Sequence, residues 1–398
     1  MSSRLACGGC LSRRVNRPAE RAVSAKAWRR GRTRRLGVAS TGATGAASEE
    51  GTVTTQSVRF GLIGYGSWGR HHAEAIAKTD GAALVAIAAA SEQSRAEAAA
   101  GHPNCQVVAD YRNLLTRDDI DVVDVVVPNH LHAEVGRAVL EAGKHLLMEK
   151  PMTVTVAEAE SLVAAARAAG RLLVVDFQMR MSALWAGVKN LIDDDRIGTP
   201  LYIVIDLWRR PYRPGSDRWR FDIQRVGDWI LEEPVHFFDL ARWYFQPHGE
   251  PASVFACANS RQEGHPELED NFSALLRFSH GGYAVITHTL CGFEHHQTVK
   301  VTGTRGAIWA SWSGTLDRDL HPHSSLRFFD GQTLHDVPLD RPTGELFELE
   351  DQIAMMVRAV RDGEPVAADG IDGLWSVRLC EAAKESIARR AEVFFQRE

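Results

Sequence analysis

The chain has 398 residues, enough for two ordinary domains. Its apolar fraction of 44% and charged fraction of 24% are those of a soluble globular protein. The formal charge of −5 argues against a general nucleic-acid binder, and no apolar run approaches the roughly 20 residues that span a membrane.

Residues 1–56 stand apart. They are rich in Arg, Ala, Ser and Gly, with Glu20 the only acid before Glu49 and no apolar periodicity. Such a segment cannot bury enough surface to fold. It reads as a transit-like leader, a disordered tail, or a stretch translated from a misplaced start. Ser12-Arg13-Arg14 hints at twin-arginine export, but no apolar run follows. Cys7 and Cys10 form a CxxC without a second pair, and the other four cysteines are isolated. Free thiols in a reducing compartment, the cytoplasm, are expected.

Order begins at Ser57. The runs "VRFGLIG" (58–64), "LVAIAAA" (84–90), "VVDVVVP" (122–128), "KHLLMEKP" (144–151) and "RLLVVDF" (171–177) read as strands. Helix-like segments at 71–79, 94–100, 133–142 and 156–169 lie between them. Strand–helix alternation predicts a parallel sheet of βαβ units, a Rossmann domain over residues 57–177. After residue 178 the rhythm changes. A helix over 183–194 leads to "PLYIVIDLWRR", and residues 252–313 read as consecutive strands, with Gly281-Gly282 as a hairpin turn. Helices over 348–361 and 371–390 close the chain. The fold class is therefore α/β, with residues 178–398 forming an α/β domain around a large, mostly antiparallel sheet.

"GLIGYGSWGRHH" carries Gly64, Gly66 and Gly69 in G-x-G-x-x-G spacing, after a strand and at the start of a helix. Gly64 permits the tight turn, Gly66 lets the backbone approach a pyrophosphate, and Gly69 lets helix and strand pack closely. Ser67 and Trp68 lie inside the same loop. An NAD site commonly places an acid at the end of the second strand, for the ribose 2′-OH. Here that region reads Ala88-Ala89-Ala90-Ser91, with Arg95 a turn later. Ser91 and Arg95 suit a 2′-phosphate, so NADP is favoured over NAD.

Three further motifs join the glycine loop: "VVVPNHLH" (125–132), "MEKP" (148–151) and "LEEPVHFFDLARW" (231–243). In this order they resemble the Gfo/Idh/MocA family of NAD(P)-dependent oxidoreductases, which includes inositol dehydrogenases and glucose–fructose oxidoreductase. The resemblance covers residues 57–398. It implies a Rossmann domain followed by a domain with an open sheet, and a homodimer or homotetramer formed through that sheet's face.

The resemblance also implies roles. Lys150 is the candidate for stabilising negative charge on the reacting oxygen. Glu149 is assigned to the nicotinamide ribose, and Pro128 and Asn129 to the cofactor's edge; His132, at the same strand end, would either join them or start the next helix as a satisfied polar residue. Arg180 is assigned to the substrate pocket, or else would form an interdomain salt bridge. In "GDWILEEPVHFFDLARWYF" (227–245), His236 is the candidate proton acceptor, its ordinary pKa suiting that role. Glu232 occupies the place of the family's Asp, four residues before the histidine, and would orient it. Glu233 reads as a helix-start residue before Pro234. Asp239 would either fix the His236 tautomer and face substrate, or pair with Arg242 or another cation. The basic, aromatic stretch 208–222 would line the pocket or remain an exposed loop. His295-His296 and His321-x-His323 lack a third ligand, so no metal site is expected.

These residues point to hydride transfer between NAD(P) and a secondary hydroxyl of a sugar, inositol or related polyol, with no nucleic-acid or membrane partner. The alternatives are a glycosidase that oxidises its sugar transiently on retained NAD, and a non-catalytic nucleotide-binding sensor.

Overall fold

The first sheet has six parallel strands: β1 (Val58–Ile63), β2 (Ala82–Ala88), β3 (Gln106–Val108), β4 (Val122–Val125), β5 (His145–Met148) and β6 (Leu173–Val175). Their order is β3-β2-β1-β4-β5-β6, the doubly wound arrangement that opens a crevice at the carboxyl ends of β1 and β4. Five helices make the crossovers: α1 (Ser67–Lys78), α2 (Glu92–Gly101), α3 (Tyr111–Leu115), α4 (His132–Glu141) and α5 (Val156–Ala169). The computed structural model describes residues 57–246 and 248–396. The leader-like segment, with Cys7, Cys10 and Ser12-Arg13-Arg14, lies outside the described residues.

After α6 (Trp185–Asp193), a second sheet begins with β7 (Pro200–Arg209). Three short helices follow: α7 (Ile223–Val226), α8 (Trp229–Glu232) and α9 (Pro234–Phe245). The sheet then continues with β8 (Pro251–Asn259), β9 (Asn271–Phe278), β10 (Tyr283–Thr289), β11 (His295–Gly303), β12 (Ala307–Gly314), β13 (His323–Phe329) and β14 (Leu334–Val337). Helices α10 (Glu345–Asp362) and α11 (Gly370–Arg389) precede a last short strand, β15 (Val393–Phe394). The order is β14-β13-β12-β11-β7-β10-β9-β8-β15. Among the described residues every pairing in this sheet is antiparallel except β7 with β10, which lie parallel.

Period-two alternation decides what each face of this sheet meets. Ile203, Ile205 and Leu207 of β7 are buried against the helices, α9 among them. Trp208, Phe255, Tyr283 and Trp309 remain exposed. Among the described residues no helix is long and apolar enough to cross a membrane.

Some boundaries differ from the sequence reading. Helix α1 begins at Ser67, four residues before the predicted start, because the chain turns into it directly from Gly66. Strand β4 ends at Val125, since Pro128 and Asn129 leave the ladder. Strands β13 and β14 carry polar and charged side chains on much of their length, which hid them as loop.

Candidate active site

The glycine loop closes tightly on the sheet. Gly64 has φ +102°, and a Cβ there would lie 2.0 Å from the Val126 carbonyl oxygen. A Cβ on Gly69 would lie 2.0 Å from the Gly64 carbonyl oxygen. A Cβ on Gly66, by contrast, would meet nothing within 4 Å. The open side of the loop is thus the N-terminal end of α1, where backbone N–H groups and the helix dipole favour an anionic group. This space fits a dinucleotide's pyrophosphate. Ser67 is exposed there and accepts from Arg318 Nη1 at 3.4 Å. The Arg318 guanidinium lies 4.4 Å over the Trp68 ring, so a loop of the second sheet reaches the nucleotide loop.

At the end of β2, Ser91 caps α2 by accepting from the Ser94 N–H at 3.1 Å. Arg95 Nη1 donates to the carbonyls of Ala89 and Ala90 at 3.1 and 2.6 Å. A guanidinium is therefore held where a NAD site would commonly place an acid.

The carboxyl ends of β4 and β5 carry the other cofactor-side candidates. Pro128 is half-buried and starts the turn. Asn129 is buried, and its amide donates to the Val226 carbonyl at 3.0 Å and to Glu232 Oε2 at 3.2 Å. It ties the nucleotide sheet to the segment before α8. His132 corrects the expectation of a cofactor contact. It is wholly buried, its ring nitrogens lie 2.6 and 2.8 Å from the carbonyl oxygens of Pro151 and Val127, and burial lowers its pKa. It is a core residue held between two backbone carbonyls, of which the neutral ring can donate to one.

Glu149 departs from expectation in a similar way. Its carboxylate points inward rather than toward a ribose. Oε1 accepts from the Trp68 indole at 2.5 Å and faces His72 Nε2 at 3.3 Å, while Oε2 accepts from the Lys150 backbone N–H at 2.9 Å. Burial opposes its ionisation, but His72 and Lys150 together hold its pKa down at about 2.

Lys150 extends from the end of β5 and donates from Nζ to the backbone carbonyl of Glu232 at 2.7 Å. Burial alone would favour the neutral amine. The charges of Glu232, Glu233 and Glu149 outweigh it and raise the pKa, so Lys150 is an ammonium.

His236 lies in the first turn of α9, buried, with Phe177 edge-on at 5.8 Å. Burial first, and Lys150 second, lower its pKa to about 3. It is neutral across the physiological range, and its Nδ1 has no hydrogen-bond partner.

The expected geometry of the Glu232–His236 pair does not form. Glu232 ends α8 and Pro234 begins α9, and Glu233 between them leaves helical geometry at φ −131°, ψ −51°. The four-residue spacing therefore does not run along one helix. The Glu232 carboxylate turns to Arg220 Nε at 2.5 Å and Asn129, and among the described residues no hydrogen bond joins it to His236. Its main-chain carbonyl, not its carboxylate, serves the site. Glu233 makes no side-chain cap; it accepts from Arg209 Nη1 at 2.8 Å, and its pKa falls to about 2.

Arg180 and Asp239, expected at the substrate, are spent on each other. Arg180 donates to both Asp239 oxygens, at 2.8 and 2.6 Å, and also to Asp372 at 3.0 Å and the Ala367 carbonyl at 2.7 Å. Both members of the first pair are buried. Asp239 thus takes the cation-pairing option and leaves the His236 tautomer alone.

The structure gives individual places to residues that the sequence left without one. Around Glu233 stand Arg209 at the end of β7, Tyr212, His288 of β10 and His295 of β11. His288 Nε2, His295 Nδ1 and the Tyr212 hydroxyl are buried without hydrogen-bond partners. Burial brings the two imidazoles down to about 3 and about 4, so both are neutral. The signal was the alternation: His288 and His295 fall on the positions of β10 and β11 that face the helices. The 208–222 stretch supplies Arg209, Tyr212 and Arg220 to this region. The histidines weighed earlier as metal ligands are absent from the one possible three-ligand group among the described residues, His72, Glu149 and Asp176.

Residues 58–177 match the family described as "Oxidoreductase family, NAD-binding Rossmann fold", and residues 185–309 match the "GFO/IDH/MocA C-terminal domain". The chain belongs to the Gfo/Idh/MocA oxidoreductase family. Inositol 2-dehydrogenase of Rhizobium meliloti (strain 1021) is 30% identical over 85% of this chain and 99% of its own. Myo-inositol 2-dehydrogenase of Thermotoga maritima is 27% identical over 84% and 98%. The fold is shared with levoglucosan dehydrogenase solved with NADH and L-sorbose, at TM-score 0.72 and 24% identity, over 86% of this chain and all of that one. This chain carries the glycine loop, the Glu-Lys-Pro turn, and Glu-Glu-Pro before its α9 histidine.

Proposed function

We propose that this protein transfers hydride between a nicotinamide nucleotide and a secondary hydroxyl of an inositol, sugar or related polyol. The observation that carries this reading is the meeting of an ammonium and a neutral imidazole, Lys150 and His236, beside the glycine loop. The inositol and sugar dehydrogenases among its relatives support it.

When bound, the nucleotide supplies the hydride acceptor or donor. Lys150 stabilises negative charge developing on the substrate oxygen. His236 accepts the hydroxyl proton. With a pKa near 3 it is a weak base, so the drive for proton loss comes chiefly from the Lys150 charge beside that oxygen. His288, His295 and Tyr212 bind further hydroxyls, each with an open donor or acceptor. Arg209 and Arg220 are each paired with a glutamate, which suits a neutral polyol better than an anionic one.

NADP is favoured by Arg95 and Ser91 at the end of β2. The exposed aromatic face of the large sheet suits a homodimer or homotetramer. Nucleotide reduction over a panel of polyols, with NAD and NADP in parallel, tests the reaction. Tight nucleotide binding with no reduction by any polyol would overturn it and favour a sensor.

A further inference from the structure

His72 has no part in the reaction as described, yet it sits wholly buried beneath the glycine loop among three carboxylates from three strands. Its Nδ1 lies 2.8 Å from Asp124 Oδ2 of β4, and its Nε2 lies 3.3 Å from Glu149 Oε1 at the end of β5. Asp176, just past β6, is 3.6 Å from the same Nε2. A neutral imidazole offers one N–H, and carboxylates only accept. Two ring nitrogens facing two carboxylates therefore require the doubly protonated ring. Both Asp176 oxygens lack a hydrogen-bond donor, and burial with Glu149 beside it raises its pKa well above normal, which favours its neutral form.

We propose that His72 is a positioning residue, fixing the Glu149 carboxylate that ties Trp68 of the glycine loop to the backbone of Lys150. One carboxylate accepts from the Trp68 indole and from the Lys150 N–H, on opposite oxygens. The nucleotide loop and the reacting turn are thereby set against each other through a single side chain. His72 holds that side chain in place, and Asp124 holds His72. A doubly protonated His72 cannot ligate a cation, so on this proposal the three residues with metal-like spacing, His72, Glu149 and Asp176, hold no metal ion.

This rests on Lys150 acting in the proposed reaction, and the experiment separates the two. Nitrogen NMR of the histidine-labelled protein, with His72 assigned through H72Q, reads the ring directly. The expected ring is doubly protonated from neutral into mildly alkaline pH; a singly protonated ring, or one metal ion per chain in the purified protein, overturns the proposal whatever the enzyme's activity. A double-mutant cycle on H72Q and E149Q then tests the route of action, with thermal unfolding confirming that each variant folds. Each single change is expected to lower kcat by about 10- to 100-fold with little change in polyol KM, as a displaced catalytic group would. The double variant should lose no more than the worse single one, because His72 acts through Glu149. Multiplicative losses, or an effect confined to KM, would overturn it. Failure of the wild-type protein to reduce nucleotide with any polyol counts against the reaction, while the ring spectrum still decides the state of His72.

Discussion

Lys150 Nζ donates to the main-chain carbonyl of Glu232 at 2.7 Å. The lysine proposed to react is thus aimed from the nucleotide sheet by the backbone at the end of α8, a contact indifferent to which side chain stands at position 232. The Glu232 carboxylate meanwhile serves Arg220 and Asn129. E232Q should keep the lysine in place and weaken the Arg220 contact. The expected result is a loss of about 1–3 kcal/mol in urea unfolding, with kcat reduced less than about 10-fold. A kcat loss as large as that of a Lys150 variant would place the carboxylate in the chemistry after all.

The pH profile carries the opposite shifts of the two candidate groups. The pKa of Lys150 is raised, so its ammonium persists past the ordinary 10.5 and its contribution is lost only as pH rises beyond that. The pKa of His236 is lowered to about 3, so the neutral ring is already present below its ordinary 6.5. Polyol kcat/KM should therefore show no acid limb near 6.5 and should fall on the alkaline side. An acid limb near 6.5 that disappears in H236N would contradict this.

Arg180 and Asp239 form a buried bidentate pair, and breaking one half leaves the other charge stranded. R180M should lower stability by about 3–5 kcal/mol in urea unfolding. In the folded fraction, polyol KM should stay close to the wild-type value. A folded, fully stable R180M with a sharply raised KM would return Arg180 to the substrate.

Most of the nucleotide-binding half was legible in the sequence, because its signals are local. A glycine loop between strand and helix, apolar strand runs and a Glu-Lys-Pro turn each announce themselves within a dozen residues. The partners of the charged residues were not legible. Glu232 and His236 were aligned by counting along a helix that breaks at Glu233, and Arg180 meets Asp239 across 59 positions. His288 carries no signal, and His295 only that of a metal ligand, because a histidine in an alternating strand looks like any polar residue until the neighbouring strands bring it beside Arg209 and Glu233. Long-range pairing, not local pattern, decides which buried charges react and which hold the fold.

The proposed preference for NADP rests on the end of β2. Arg95 is already held there by the Ala89 and Ala90 carbonyls, and Ser91 offers a hydroxyl. S91D would supply a carboxylate for a ribose 2′-OH and repel a 2′-phosphate. The ratio of NADP to NAD affinity should fall at least about 10-fold, or 1.4 kcal/mol, by nucleotide titration. An unchanged ratio would mean that position 91 does not face the ribose.

The central claim is that Lys150 drives polyol oxidation on a bound nicotinamide nucleotide. The direct measurement is nucleotide reduction in the presence of myo-inositol and other cyclic polyols, comparing the wild-type protein with K150M after matching their nucleotide affinity. The account predicts turnover by the wild type and a kcat lower by about 100- to 1,000-fold in K150M, the loss of one preorganised donor at the reacting oxygen. Equal turnover by K150M, or none by the wild type, would contradict it.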